Sequence, residues 1–275
     1  MVTITPRNVA FDLDPTKAAT WLDGSREKTL FLNALSLMFP PGERFFVAAV
    51  LAERGKIDDP TLATEVKAFC RQEGYHTREH LAYNAALTSV GIDADRLERE
   101  LSDYLAWTKA TLPRGSALLT TCALEHFTAI MAHEVLEHPE YLAGADAAYA
   151  RMWTWHALEE CEHKAVAFDV FRTASRRDGR RNERAEWGRM ASMFATTSGF
   201  LRYMTKHCVA LMRVQGLARS PISWLRLLWY VFGYPGILRR IAVPYLRYYA
   251  PGFHPNQIDD RRALERTQRT VATWA

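Results

Sequence analysis

Between positions 60 and 90, polar residues occupy an apolar helical stripe. Leu62, Val66 and Phe69 are spaced four and three apart, which sets them on one face of a helix. The same rhythm then runs through Glu73, His76, His80, Tyr83 and Leu87. At ~100° per residue, Glu73, His76 and His80 share an arc of ~60°. A carboxylate and two imidazoles therefore lie where a fold buries its surface. A buried carboxylate must be neutralised or paired, and a cation removes that cost. Any fold for this chain has to bring something positive to that stripe.

A second stripe repeats the pattern. Met152, His156, Glu159 or Glu160, His163, Val166 and Val170 fall on one face of a helix predicted over roughly 146–176. Over 116–137, Leu118, Cys122, Glu125, Ala129, Ala132 and Leu136 put one carboxylate in an apolar row. In a helix expected from about Glu43 to Arg54, Glu43 precedes Phe46, Val47 and Val50. The order along the chain is Glu, Glu-x-x-His, Glu, Glu-x-x-His. Ferritin-like di-iron carboxylate proteins supply their ligands in that arrangement. Glu bridges two cations, each His completes one, and i,i+3 spacing keeps a pair on one turn.

The periodicity is helical nearly throughout, and no alternating strand pattern competes. Asp59-Pro60 starts a helix, with Asp as cap and Pro in its first position. Gly91 ends that helix, and Asp93 opens another to about Thr111. A short N-terminal arm is expected up to Pro40-Pro41-Gly42. Arg176, Arg177, Asp178 and Gly179 mark a polar break before a helix over about 183–215, and the arginines here, with Arg180 and Arg181, read as a solvated loop. Five prolines in the last sixty residues predict short helices joined by turns. The expected fold is all-α, a ferritin-like four-helix bundle with additional C-terminal helices. It forms a single domain over 1–275, with the metal-binding bundle at 30–215 and a helical cap at 216–275.

Composition excludes several classes. With 35 basic and 31 acidic residues, the net charge of +4 is too mild for a nucleic-acid partner. The four cysteines form no Cys-x-x-Cys pair. The N-terminus lacks a signal-peptide pattern, so a cytoplasmic protein is expected. No uninterrupted apolar run reaches the roughly 18–20 residues that span a bilayer. The aromatic segment from Trp224 to Leu238, flanked by arginines, packs across the bundle or a homodimer partner in the favoured reading. Peripheral membrane contact is the alternative.

Five segments carry a family resemblance. They are Phe39-Pro-Pro-Gly-Glu43-Arg-Phe-Phe46, Gln72-Glu73-Gly-Tyr-His76-Thr-Arg-Glu-His80 with Asn84, Glu125-His126-Phe-Thr128-Ala129, Trp155-His156-Ala-Leu-Glu159-Glu160-Cys-Glu162-His163-Lys164-Ala-Val-Ala-Phe168-Asp169, and Pro251-Gly-Phe253-His254-Pro255. They resemble the bacterial "predicted metal-dependent hydrolase" family over about residues 30–260. The His156-x-x-x-Glu160-x-x-His163 spacing is similar to that of the p-aminobenzoate N-oxygenase family, which implies His156 as an extra ligand. The expected ligands are Glu43, Glu73, His76, Glu125, His156, Glu160 and His163, with His80 as an eighth ligand or a support. Glu159 and His126 are expected behind the ligands, Glu159 with the alternative of replacing Glu160. His133 and His138 read as surface groups, and His254 as structural.

The expected cofactors are two metal ions, iron first, with manganese or zinc as alternatives. The first functional reading is a di-iron, O2-activating oxidoreductase acting on a small hydrophobic organic substrate, with an electron donor as further partner. A metal-dependent hydrolase and a non-catalytic metal-binding helical protein are the alternatives.

Overall fold

A computed structural model describes residues 3–113, 115–176 and 183–274. The fold is all-α, and no strand forms among the described residues. The helices, in chain order, are α1 (Arg26–Ser36), α2 (Phe39–Ala52), α3 (Pro60–Ser89), α4 (Ala94–Thr111), α5 (Ser116–Glu137) and α6 (Ala147–His163). They continue with α7 (Val166–Ala174), α8 (Glu183–Val214), α9 (Pro221–Leu228), α10 (Ile237–Arg240), α11 (Ala242–Arg247) and α12 (Arg261–Val271).

Local signals explain α3. The Asp59 side chain accepts a hydrogen bond from Thr61 N at 2.8 Å, and Pro60 needs no N–H partner in the first turn. Its whole predicted stripe, Leu62 through Leu87, is buried. Helix α2 packs on α3 and α5, α5 on α6 and α8, and α3 on α6 and α7. The polar stripes consequently face one another. Helix α8 also lies along α1, and α12 returns to pack on α6 and α5, where Ala263, Leu264 and Val271 join Leu136, Trp155 and Leu158.

Several sequence expectations are corrected. The N-terminal arm contains α1, in which every residue from Thr29 to Ser36 is buried. Helix α2 begins at Phe39, before the two prolines, and Arg54 already belongs to a 3-10 turn. Pro40 and Pro41 fit because a first turn has no N–H bonds to lose. The helix expected over 146–176 breaks after His163. At the break, the Lys164 ammonium is buried against Asp260 at 2.5 Å and the Ile258 carbonyl at 2.8 Å. That tertiary anchor is not encoded in the local rhythm. His133 and His138 are half-buried, not exposed. Apart from Arg176, the predicted arginine loop lies outside the described residues.

One segment, Arg26–Lys56, is long and apolar enough to cross a bilayer by length and composition. Polar residues such as Asn33, Ser36, Glu43 and Arg44 interrupt it, so it contains no continuous apolar run of that length. Its most apolar window is 72% buried inside the fold, as expected of a core element.

Candidate metal centre

Each polar stripe position is buried. Glu43 comes from α2, Glu73 and His76 from α3, Glu125 from α5, and His156, Glu160 and His163 from α6. Their ligand-type atoms converge. His163 Nε2 lies 3.2 Å from Glu73, 3.5 Å from Glu125 and 3.7 Å from Glu160. His156 Nε2 and His76 Nδ1 lie 3.3 and 3.6 Å from Glu160 Oε1. Two groups result, Glu43 with His76 and His156, and Glu73 with Glu125 and His163, each with donor atoms within 4.8 Å of one another. Glu160 stands between them, with Oε1 toward His76 and His156 and Oε2 toward His163. Glu73, His76 and Glu160 form a third overlapping group.

The inward-facing atoms are unsatisfied. Both oxygens of Glu73 and of Glu125, Oε1 of Glu43, Oε2 of Glu160, Nδ1 of His76, and Nε2 of His156 and His163 are buried without a hydrogen-bond partner among the described residues. Native interiors leave few such atoms. Their concentration at one centre, in a set of carboxylate and imidazole donors, fits two divalent cations.

Hydrogen bonds from the surroundings orient two of the three imidazoles, His163 and His156, toward the cluster. The Gln72 amide donates to Glu162 at 3.0 Å and to the Thr5 carbonyl at 3.3 Å, which turns its oxygen toward His163. His163 Nδ1 donates to that oxygen at 2.9 Å, so Nε2 is the nitrogen turned to the carboxylates, and the one a cation would take after displacing its proton. A longer chain acts on His156. The Asn84 amide donates to Glu98 and to the Ser36 carbonyl, so its oxygen accepts from the Ser36 hydroxyl at 2.8 Å. Ser36 Oγ in turn accepts from His80 Nδ1 at 2.9 Å, and His80 Nε2 accepts from His156 Nδ1 at 3.2 Å. His156 Nε2 is left bare, facing Glu160. His80 is thus spent on both nitrogens and joins none of the three donor groups.

Glu159 and Glu160 separate clearly. Glu159 accepts from the Arg7 backbone N–H at 2.9 Å and the Arg7 guanidinium at 3.2 Å, and its other oxygen lies 3.2 Å from His76 Nε2. It stands behind His76 without a hydrogen bond to it, and both His76 Nε2 and this Glu159 oxygen are left without a partner among the described residues, while Glu160 occupies the cluster. Thr77 donates to Glu43 at 2.7 Å. His126 faces away, bonded to the Pro244 carbonyl at 3.1 Å and packed on Tyr248 and Phe253. His254 Nε2 donates to Asp169 at 3.0 Å, a structural tie. Arg7, Gln72 and Glu162 support the ligands in ways that helical spacing does not signal. Glu162 accepts from Arg7, Gln72, Gln268 and the Thr5 N–H, and binds the N-terminal arm over α6. Nothing periodic marks an arm, so spacing carries no signal for Arg7.

The charges are strongly perturbed. Burial pushes Glu43 and Glu125 well above the usual carboxylate range, and Glu73 repels both. Burial lifts Glu73 to about 7 despite His163, and lifts Glu159 to about 7 despite Arg7. Burial also pulls His76 and His156 down to about 3. Glu160 goes the other way. Burial raises it, but His163, His156 and His76 outweigh that and hold it at about 2. His163 is held well above its ordinary value because Glu160, Glu73 and Glu125 outweigh its burial. Protons and one internal ion pair thus balance the charge, and cations displacing those protons do the same.

Residues 5–259 match the family described as "Predicted metal-dependent hydrolase". The chain belongs to that family. No curated protein and no solved structure matches it. The family's description and the convergent donor groups agree on metal dependence.

Proposed function

We propose that this family member is a binuclear non-haem metalloenzyme. Glu43, His76 and His156 would hold one ion and Glu73, Glu125 and His163 the other, with Glu160 between the two groups. His80, Gln72 and Thr77 orient the ligands, and Glu159 stands behind His76. The observation that carries the reading is the concentration of buried, unpartnered donor atoms around one centre. The ligand order along the chain is consistent with a ferritin-like centre. Four carboxylates and three imidazoles suit iron or manganese, with zinc as the alternative.

The first reading of the chemistry is O2-dependent oxidation of an organic substrate, fed by an external electron donor. Two iron ions supply the redox chemistry when bound. The chain's own residues set ligand geometry, orient imidazoles and exclude water. The second reading is hydrolysis, favoured by the family description; there zinc or manganese supplies Lewis-acid activation of water. The cysteines Cys70, Cys122, Cys161 and Cys208 are all unpaired, which suits the cytoplasm.

The test is elemental analysis of protein purified without chelator, then optical spectra after anaerobic reduction and admission of air. An iron-dependent optical transient supports oxidation. Stoichiometric zinc with no spectral change overturns it in favour of hydrolysis.

A further inference from the structure

Beside the metal centre lies an open-ended cavity of about 550 Å³, lined by α1, α2, α4, α5 and α8. That volume is in the range of small-molecule sites, ~300–1,000 Å³. Its walls include Leu105, Leu119, Phe127, Met131, Phe200 and Tyr203, and no charged residue lines it among the described residues. The hydroxyls of Thr108 and Thr128 are already spent on the carbonyls of Tyr104 and Glu125. Ser116, Thr120, Ser192 and Thr196 add hydroxyls to a lining that is otherwise mostly apolar, and a space of this size and character suits a molecule with an uncharged, largely hydrocarbon body.

Small residues keep the space open. Helix α8 turns Gly188, Ala191, Ser192, Ala195, Thr196 and Gly199 to the cavity, all on one face. Close packing does not force the glycine at Gly188, where an added Cβ would meet Leu119 Cδ1 at an ordinary 3.6 Å. Gly42, on the opposite wall, likewise has 3.5 Å to Phe46 Cζ. At one end, Trp107 and Leu112 line the cavity while 57% and 44% exposed, so apolar side chains ring an opening.

The other end abuts the metal centre. Phe39 lines the cavity, and its ring lies 4.6 Å from the rings of both His80 and His156. Gly42 directly precedes Glu43, and Leu124 directly precedes Glu125. The Phe39 ring is thus shared by the cavity wall and the imidazoles of the centre.

From these contacts we infer that the cavity is the substrate chamber, and that it takes a molecule with an uncharged hydrocarbon body, entering past Trp107 and Leu112. The substrate role rests on the metalloenzyme reading; the binding site does not. The test uses the neutral fluorescent probe 1-aminoanthracene, displaced by 1-dodecanol, on the full chain. Saturable binding at one probe per chain is expected. Ser192→Phe fills the chamber and is expected to weaken the probe about tenfold or more, with metal content unchanged. If that variant does not fold, Thr120→Leu carries the same test. Glu73→Ala is expected to lose metal yet keep the probe. Unsaturable binding by the native chain, or undiminished binding by a folded filling variant, overturns the chamber. Probe binding by a protein that takes up no metal leaves the chamber standing and removes the metalloenzyme reading.

Discussion

Glu73 offers a quantitative test of the buried charge. Its carboxyl titrates at about 7 in the folded, metal-free protein, against 4.5 ordinarily, because burial disfavours the anion. Raised that far, its ionisation inside the fold costs about 3 kcal/mol. The sign follows from linkage. Between about pH 4.5 and 7 the native state keeps a proton that the unfolded chain has released. Stability from this group is complete below 4.5 and is lost as pH rises through 7. Glu73→Gln has nearly the same shape and cannot ionise. In chelator-stripped protein, urea denaturation at pH 5 and pH 8 should show the variant gaining on the native chain by about 2–3 kcal/mol as pH rises. With metal present the order reverses, since the native carboxylate then has a cation. If the metal-free native chain instead gains on Glu73→Gln with rising pH, the carboxylate is ionised and paired without metal, and the reasoning fails.

Other residues give separate tests. Ser36→Ala removes the acceptor that holds the His80 Nδ1 proton, freeing His156 to rotate or change tautomer; metal affinity should fall about 10-fold or more, measured by competition with a chromogenic chelator. An unchanged affinity would show that the chain from Asn84 to His156 has no influence on the site. Arg7→Ala leaves the buried carboxylates of Glu159 and Glu162 without their cation. It should destabilise by about 3 kcal/mol in denaturant melts, and a loss below about 0.5 kcal/mol would mean that water or another group replaces Arg7. Metal uptake should release protons and weaken as pH falls below about 7, where Glu73 holds its proton. A pH-independent affinity between pH 6 and 8 would contradict that.

Much of this arrangement was legible in the sequence because helical periodicity is a local property. Glu73 and His76 fall in line after Leu62, Val66 and Phe69, so their inward direction follows from spacing alone. What periodicity could not reveal came from distant partners. The break after His163 depends on Lys164 meeting Asp260, 96 residues away, while Val166 and Val170 carry the apolar rhythm straight through it. Helix α1 is buried all round from Thr29 to Ser36, so it shows no stripe; Ser25, which caps it, was the available signal. Spacing put His80 on the inner face, but its use there is decided by Ser36 on α1. The choice between Glu159 and Glu160 likewise needed Arg7, in an arm without a pattern.

The most direct measurement is the metal content per chain of the native protein beside Glu73→Ala and His163→Ala, each purified without chelator. About two ions per native chain are expected, with a clear loss in both variants. Native protein without bound metal, or variants that carry as much as the native chain, would contradict the account.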